Sequence, residues 1–199
     1  MTTSTAGEAE PSDALLLGRI AAGDLDALEG LHERYRRPVY TLAHGITRSQ
    51  ETAEEVLQDT FYRLYTNAGK LDAAQPLLPW LYRVATNLSY NSVRRRWNIL
   101  EPLTLLTERL FAPQRRSPEH LAEQRELQDI VHATLQEIPL NHRAVLTLYY
   151  LHEYSILEIA DILELPEGTI KSRLHHARKL LKARLLRRYG EATTLLDHT

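Results

Sequence analysis

The residues with the clearest chemistry lie between Gly168 and Arg188. Lys171, Arg173, Arg178, Lys179, Lys182, Arg184, Arg187 and Arg188 stand there with no Asp or Glu among them, in a chain whose formal net charge is −2. Cations gathered on one segment of a slightly acidic protein fit a polyanion. Lys and Arg can pair with guanine N7 and O6, and Ser can serve several bases, so Lys171, Ser172, Arg173, His175, His176 and Arg178 form a candidate base-reading set. Lys179, Lys182, Arg184, Arg187 and Arg188 lie farther along and suit phosphates, which position a protein without specifying sequence. The adjacent histidines do not make a metal site, because neighbouring positions on a helix diverge by about 100° and no carboxylate lies one turn away. A basic surface helix stabilised by its own C-terminal cations is the plain alternative.

Two further sets occur earlier. Arg83, Asn87, Tyr90, Asn91 and Arg94 recur at i, i+4, i+7, i+8 and i+11 in the segment WLYRVATNLSYNSVRRRW. Cations that hold phosphates, amides that read base edges and a ring that stacks suit single-stranded nucleic acid; a polar helix exterior is the alternative. In AEEVLQDTFYRLY, Glu55, Gln58, Asp59 and Tyr62 share one face, and from Ser49 to Tyr62 the only charges are Glu51, Glu54, Glu55 and Asp59. Such a face could dock a basic partner or simply be solvated.

Helices must position these sets. Ser155 followed by Glu158 reads as a capping box, and Ile156, Ile159, Ala160 and Leu163 supply the inward side of a short helix. Leu165-Pro166 breaks the chain, and Glu167 suits the positive start of the next helix. Ile170, Leu174, Ala177 and Leu181 must face inward, which turns the base-reading set outward. This is helix-turn-helix logic, in which the second helix enters the major groove. Upstream, Val56, Leu57, Phe61, Leu64 and Tyr65 form one apolar side, and Leu77, Leu81, Val84 and Leu88 another. Between these helices the loop Asn67 to Gln75 is broken by Gly69 and followed by Pro76.

The whole reads as all-α: two small helical domains joined by a flexible linker. The expected divisions are a disordered N-terminus over 1–12, a first domain over 13–97, a linker over 98–117, a second domain over 118–189 and a fraying tail over 190–199. The linker carries Pro102 and Pro113, and its apolar residues keep no clean period. With 199 residues, two modest cores are possible. There is no cysteine, which excludes disulfides and thiolate metal sites. No secretory signal and no apolar run of about 18 residues is visible, so a cytoplasmic protein without membrane insertion is expected. No Ser-His-Asp order, phosphate-cradling glycine loop or metal-ligand spacing argues for an enzyme, and no cofactor is expected.

Taken in order, AEEVLQDTFYRLY, LLPWLYRVATNLSYNSVRRRW and LQEIPLNHRAVLTLYYLHEYSILEIADILELPEGTIKSRLHHARKLL resemble the extracytoplasmic-function (ECF) group of bacterial sigma factors, within the sigma-70 family. The resemblance runs from about Asp13 to Leu185 with a gap across the linker. It implies a promoter-specificity subunit of RNA polymerase, with core polymerase, promoter DNA and an anti-sigma factor as partners. By position, Glu54, Glu55, Gln58, Asp59 and Phe61 match the family's polymerase-contact helix. Asn87 matches the asparagine that meets the non-template strand at the −10 element, with Arg83, Asn91, Arg94 and Arg95 on or beside that surface. The loop from Lys70 to Gln75 corresponds to the one that receives a flipped −10 base. Lys171, Ser172, Arg173, His175 and His176 match the −35 reading positions; His176 stands where Arg is common. A helix-turn-helix regulator that acts without core polymerase is the competing reading, and it leaves the acidic face and the Arg83 stripe without a task.

Overall fold

In a computed structural model of the protein, residues 11–107 and 137–196 are described, with side chains for 11–95, 137–184, 186 and 187. The expectations for residues 1–10, for the linker from 108 to 117, for the helical stretch from 118 to 136 and for the tail from 197 to 199 lie outside them.

Among the described residues there are seven α-helices and no strand. Helix α1 (Asp13–Ala21) starts on Ser12, whose hydroxyl accepts from the Leu15 amide. Gly23, at φ 91°, makes the turn into α2 (Leu25–Thr47), capped by Asp24. Arg48 ends α2 in the left-handed region, and Ser49 then caps α3 (Gln50–Asn67). A short 3-10 turn (Ala68–Lys70) and a loop lead to α4 (Leu77–Thr107). The second unit comprises α5 (Leu140–Tyr150), α6 (Ile156–Leu163) and α7 (Glu167–Leu196).

The apolar periodicities find their cores. Val56, Leu64, Leu77, Leu81 and Leu88 are buried in the first unit, and Ile159, Ala160, Ile170, Leu174 and Ala177 in the second. Burial of the Val, Leu and Ile side chains among them supplies about 1.5–3 kcal/mol each. The Ser155–Glu158 capping box forms as expected: the Ser155 amide donates to Glu158 Oε2 at 2.8 Å, and the Glu158 amide donates to Ser155 Oγ at 3.3 Å. Glu164 closes α6 in the left-handed conformation, where glycine is the commoner residue.

Several local expectations change. Helix α4 passes Trp97, its expected end, and continues to Thr107. Helix α7 runs through Gly190 to Leu196. Extending a formed helix needs only one further residue per hydrogen bond, so a weak apolar period or one glycine does not stop it. Tyr65, expected inward, is 40% exposed. Ile162 lies outside the expected inward stripe of α6 yet is buried, because the first unit covers that side of the helix.

The two units are packed together. Gly45 of α2 lies so close to Thr147 of α5 that a Cβ there would stand 2.6 Å from Thr147 Cγ2. From α4, the Tyr82 hydroxyl pairs with His152 Nδ1 at 2.8 Å, and the Tyr82 ring meets Tyr154 edge-on at 5.7 Å between centroids.

Candidate nucleic-acid and polymerase interface

The acidic face of α3 is built as the spacing requires. Glu51, Glu54, Glu55, Gln58, Asp59 and Tyr62 are exposed, while Thr52, Ala53, Val56 and Thr60 hold the opposite side in the core. Phe61 is a correction. It is 5% exposed and meets His32 edge-on at 4.8 Å, so it sets the position of the helix and offers no ring to a partner. Its place in the apolar period of α3 requires this.

On α4, Asn87, Asn91, Arg94 and Arg95 are exposed along the expected stripe. Tyr90 is not available for stacking. It packs against the core, burial pushes its hydroxyl pKa up to about 12, and Arg173 of the second unit partly offsets that push. Arg83 leaves the stripe as well. Its Nε donates to the Ile162 carbonyl at 3.1 Å, Nη2 to the Asp161 carbonyl at 3.2 Å, and Nη1 to Glu164 Oε1 at 2.5 Å. These are the last carbonyls of α6, where a helix presents partial negative charge; the Asp161 carbonyl also accepts from the Glu164 amide at 3.4 Å.

Beside the same end of α4 lies a cleft of about 320 Å³, lined by Leu71, Asp72, Gln75, Pro76, Trp80 and Arg83 among others. The Asp72 carboxylate accepts from the Ala74 amide at 3.0 Å and so holds the loop rim in a turn. Lys70 is exposed at the end of the 3-10 turn, next to this loop.

In the second unit Lys171, Ser172, His175, His176, Arg178, Lys179 and Lys182 are exposed on α7. Their surroundings differ. Lys171 Nζ donates to Glu167 Oε2 at 2.7 Å, an i,i+4 pair in the first turn. Arg178 lies over the Tyr149 and Tyr150 rings at 5.1 and 5.5 Å and donates from Nε to the Tyr150 hydroxyl at 2.8 Å. Arg173 is half-buried between the units, near Tyr90 and His142. Burial, with Arg173 and then His176 adding to it, lowers the His142 pKa. Arg184 and Arg187 share Glu137 at 2.5 and 3.6 Å, whereas Lys179 and Lys182 are exposed. The His175 and His176 rings stand 5.7 Å apart at 76°, and no group of three or more metal-ligating side chains occurs among the described residues.

The family model of sigma-70 region 2 matches residues 31–99, and that of sigma-70 region 4 matches residues 128–181. ECF RNA polymerase sigma factor SigM of Bacillus subtilis (strain 168) is 33% identical over 156 residues, covering 78% of this chain and 93% of that protein. The chain belongs to the ECF sigma factors. The sigma factor is thus a promoter-recognition subunit of RNA polymerase, and its C-terminal unit is the helix-turn-helix of region 4. Solved structures agree on the fold. CnrH, in complex with the cytosolic domain of CnrY, superposes with a TM-score of 0.61 at 24% identity, over 88% of this chain and 97% of that one. The sigma factor RpoE, in complex with the anti-sigma factor NepR from Bartonella quintana, gives 0.59 at 20% identity, over 79% and 95%. No helix among the described residues is long and apolar enough to cross a membrane.

Sequence reasoning missed Tyr82, His152 and the C-terminal end of α6 as parts of the boundary between the units. Their roles arise between units separated in sequence, and no local period signals them. The pair Tyr149-Tyr150 beneath Arg178 was more accessible to reading: adjacent aromatics at the end of a helix can carry a guanidinium from another helix.

Proposed function

We propose that the sigma factor divides promoter recognition between its units as follows. Residues 13–97 bind core polymerase through Glu54, Glu55, Gln58 and Asp59, and take the unpaired −10 strand along Asn87, Asn91, Arg94 and Arg95. Residues 118–189 hold the −35 duplex, with Lys171, Ser172, Arg173, His175, His176 and Arg178 at the bases and Lys179 and Lys182 at phosphates. Residues 98–117 connect them. Polymerase carries the nucleotidyl transfer. The sigma factor performs no chemistry and lowers the cost of opening by binding bases outside the stack, which offsets a few kcal/mol of unstacking.

The cleft at the head of α4 carries this reading. It adjoins the exposed amide and cation stripe, and its volume of about 320 Å³ falls within the range of pockets that enclose small ligands. Asp72 and Gln75 offer hydrogen-bonding groups, Trp80 a ring and Arg83 a cation, which is what an extruded base with its phosphate needs. Lys70 lies near enough to the loop to meet the backbone of that strand. The exposed acidic face of α3 favours this over a regulator that works without polymerase.

A cytoplasmic location and a dedicated anti-sigma partner belong to the same proposal; RpoE of Bartonella quintana is held by one. In vitro transcription from a promoter library with sigma-free polymerase tests the scheme. The wild-type protein should select discrete start sites sharing −35 and −10 sequences, and Gln75→Ala should relax preference at one −10 position only. Random initiation with the added protein would overturn it.

A further inference from the structure

The cations of α7 are not held alike. Lys171, His175, Arg178 and Lys182 recur at i, i+4, i+7 and i+11 and are all exposed, so they form one stripe along the helix. Lys171 is paired with Glu167, and farther on Arg184 and Arg187 share Glu137. Arg178 is held by rings instead. Among the described residues no carboxylate pairs with it, and its guanidinium lies over Tyr149 and Tyr150 at the end of α5. The two rings meet edge-on at 5.0 Å and 76°. Tyr149 packs against the core, while Tyr150 is 54% exposed. Rings fix a cation without neutralising it, whereas a paired carboxylate must be displaced before a phosphate can take its place.

The Tyr150 hydroxyl brings a donor of its own. Its oxygen accepts from Arg178 Nε at 2.8 Å. With that lone pair occupied, the phenolic hydrogen turns away from the guanidinium and can be given to an outside acceptor. The same bond uses Nε and leaves the terminal Nη groups, the fork that suits a phosphate. Arg178 also stands about three turns beyond Glu167, the first residue of α7. In a helix-turn-helix the base edges are reached from the N-terminal residues of the second helix, so a fork this far along meets the backbone.

We infer that Tyr150 belongs to the duplex-binding surface: its hydroxyl and the Arg178 fork make one composite site for a single backbone phosphate. The last residue of α5 thereby joins α7 at the DNA. This rests on the proposed −35 role of α7 and, within it, gives Arg178 to the backbone instead of a base.

The test uses the full-length protein reconstituted with core polymerase on a promoter recovered from the library. Single phosphates of the −35 region are replaced in turn by neutral methylphosphonate. For the wild type, one such replacement should weaken binding by about tenfold, as loss of a charge-assisted contact does. Arg178→Ala should weaken binding to every −35 sequence and be indifferent to that replacement. Tyr150→Phe keeps the ring and removes only the hydroxyl. It should weaken binding to unmodified DNA by about threefold or more and lessen the penalty of the same replacement. On an Arg178→Ala background, Tyr150→Phe should cost less than about twofold, because two groups on one phosphate are not additive. An Arg178→Ala protein that keeps every phosphate sensitivity and loses preference at one base would overturn the site. If Arg178→Ala and Lys182→Ala weaken binding but Tyr150→Phe does not, the Tyr150 assignment falls and the −35 face stands. If all three bind as the wild type does, the −35 face on α7 is itself wrong.

Discussion

Phe61 on α3 and Arg173 on α7 show how side chains of the proposed interface helices are shared between holding the fold and meeting a partner. Phe61 follows the apolar period of α3 and is buried, so Phe61→Ala should cost about 3–5 kcal/mol of stability, read as a lowered midpoint in denaturant. Its effect on polymerase binding should vanish under conditions where the variant is fully folded. Arg173 is half-buried between the units and stands on α7, the second helix of the helix-turn-helix. Arg173→Ala should weaken −35 binding by about 1–3 kcal/mol and relax preference at one base, measured by competition against single-base variants of the site. Lys182→Ala should weaken all duplex sequences alike and reduce the salt slope by about one unit. Lys182 is exposed, whereas Arg184 and Arg187 share Glu137. A test at Arg184 would therefore mix DNA affinity with the packing of α7.

At the scale of the element, the helix-turn-helix depends on two breaks. Ser155 starts α6 and Glu164 stops it in a left-handed turn, after which Glu167 opens α7. Ser155→Ala should cost about 1 kcal/mol, visible in thermal unfolding, without altering base preference, because it removes only a cap. A simultaneous change in −35 specificity would mean that the start of α6 also fixes the angle of α7. The capping box, the proline break and the inward stripe Ile170, Leu174, Ala177 were legible in the sequence because each depends on residues within one or two turns. The ends of α4 and α7 were not legible. Helix propagation past Trp97 and Gly190 depends on a helix already formed upstream, which a local pattern does not report.

For the whole molecule, the boundary between the units links stability to pH. His152 is paired with Tyr82 and carries a buried Nε2 without a partner; burial lowers its pKa from the usual 6.5. His142, near Arg173 and His176, is lowered in the same direction, with burial the largest cause. Below about pH 6.5 the unfolded chain takes up protons that the folded one resists, so this contribution is full above that value and is lost as pH falls toward the lowered pKa values. Thermal midpoints should fall between about pH 7.5 and pH 5, and His152→Gln should flatten that fall. A wild-type midpoint that holds steady over this range would mean that the histidines are solvated in the folded protein.

The sequence by itself determined the all-helical class, the exposed cationic face of α7, the acidic α3 face and the family resemblance, because helical periodicity and charge segregation are local properties of the chain. Only the tertiary structure decided that Arg83 faces α6, that Tyr90 is withheld from solvent and that Arg48 and Arg143 share an interface. Those outcomes depend on which surfaces of two separate units meet, and a period of 3.6 residues identifies a helix face without identifying what will cover it.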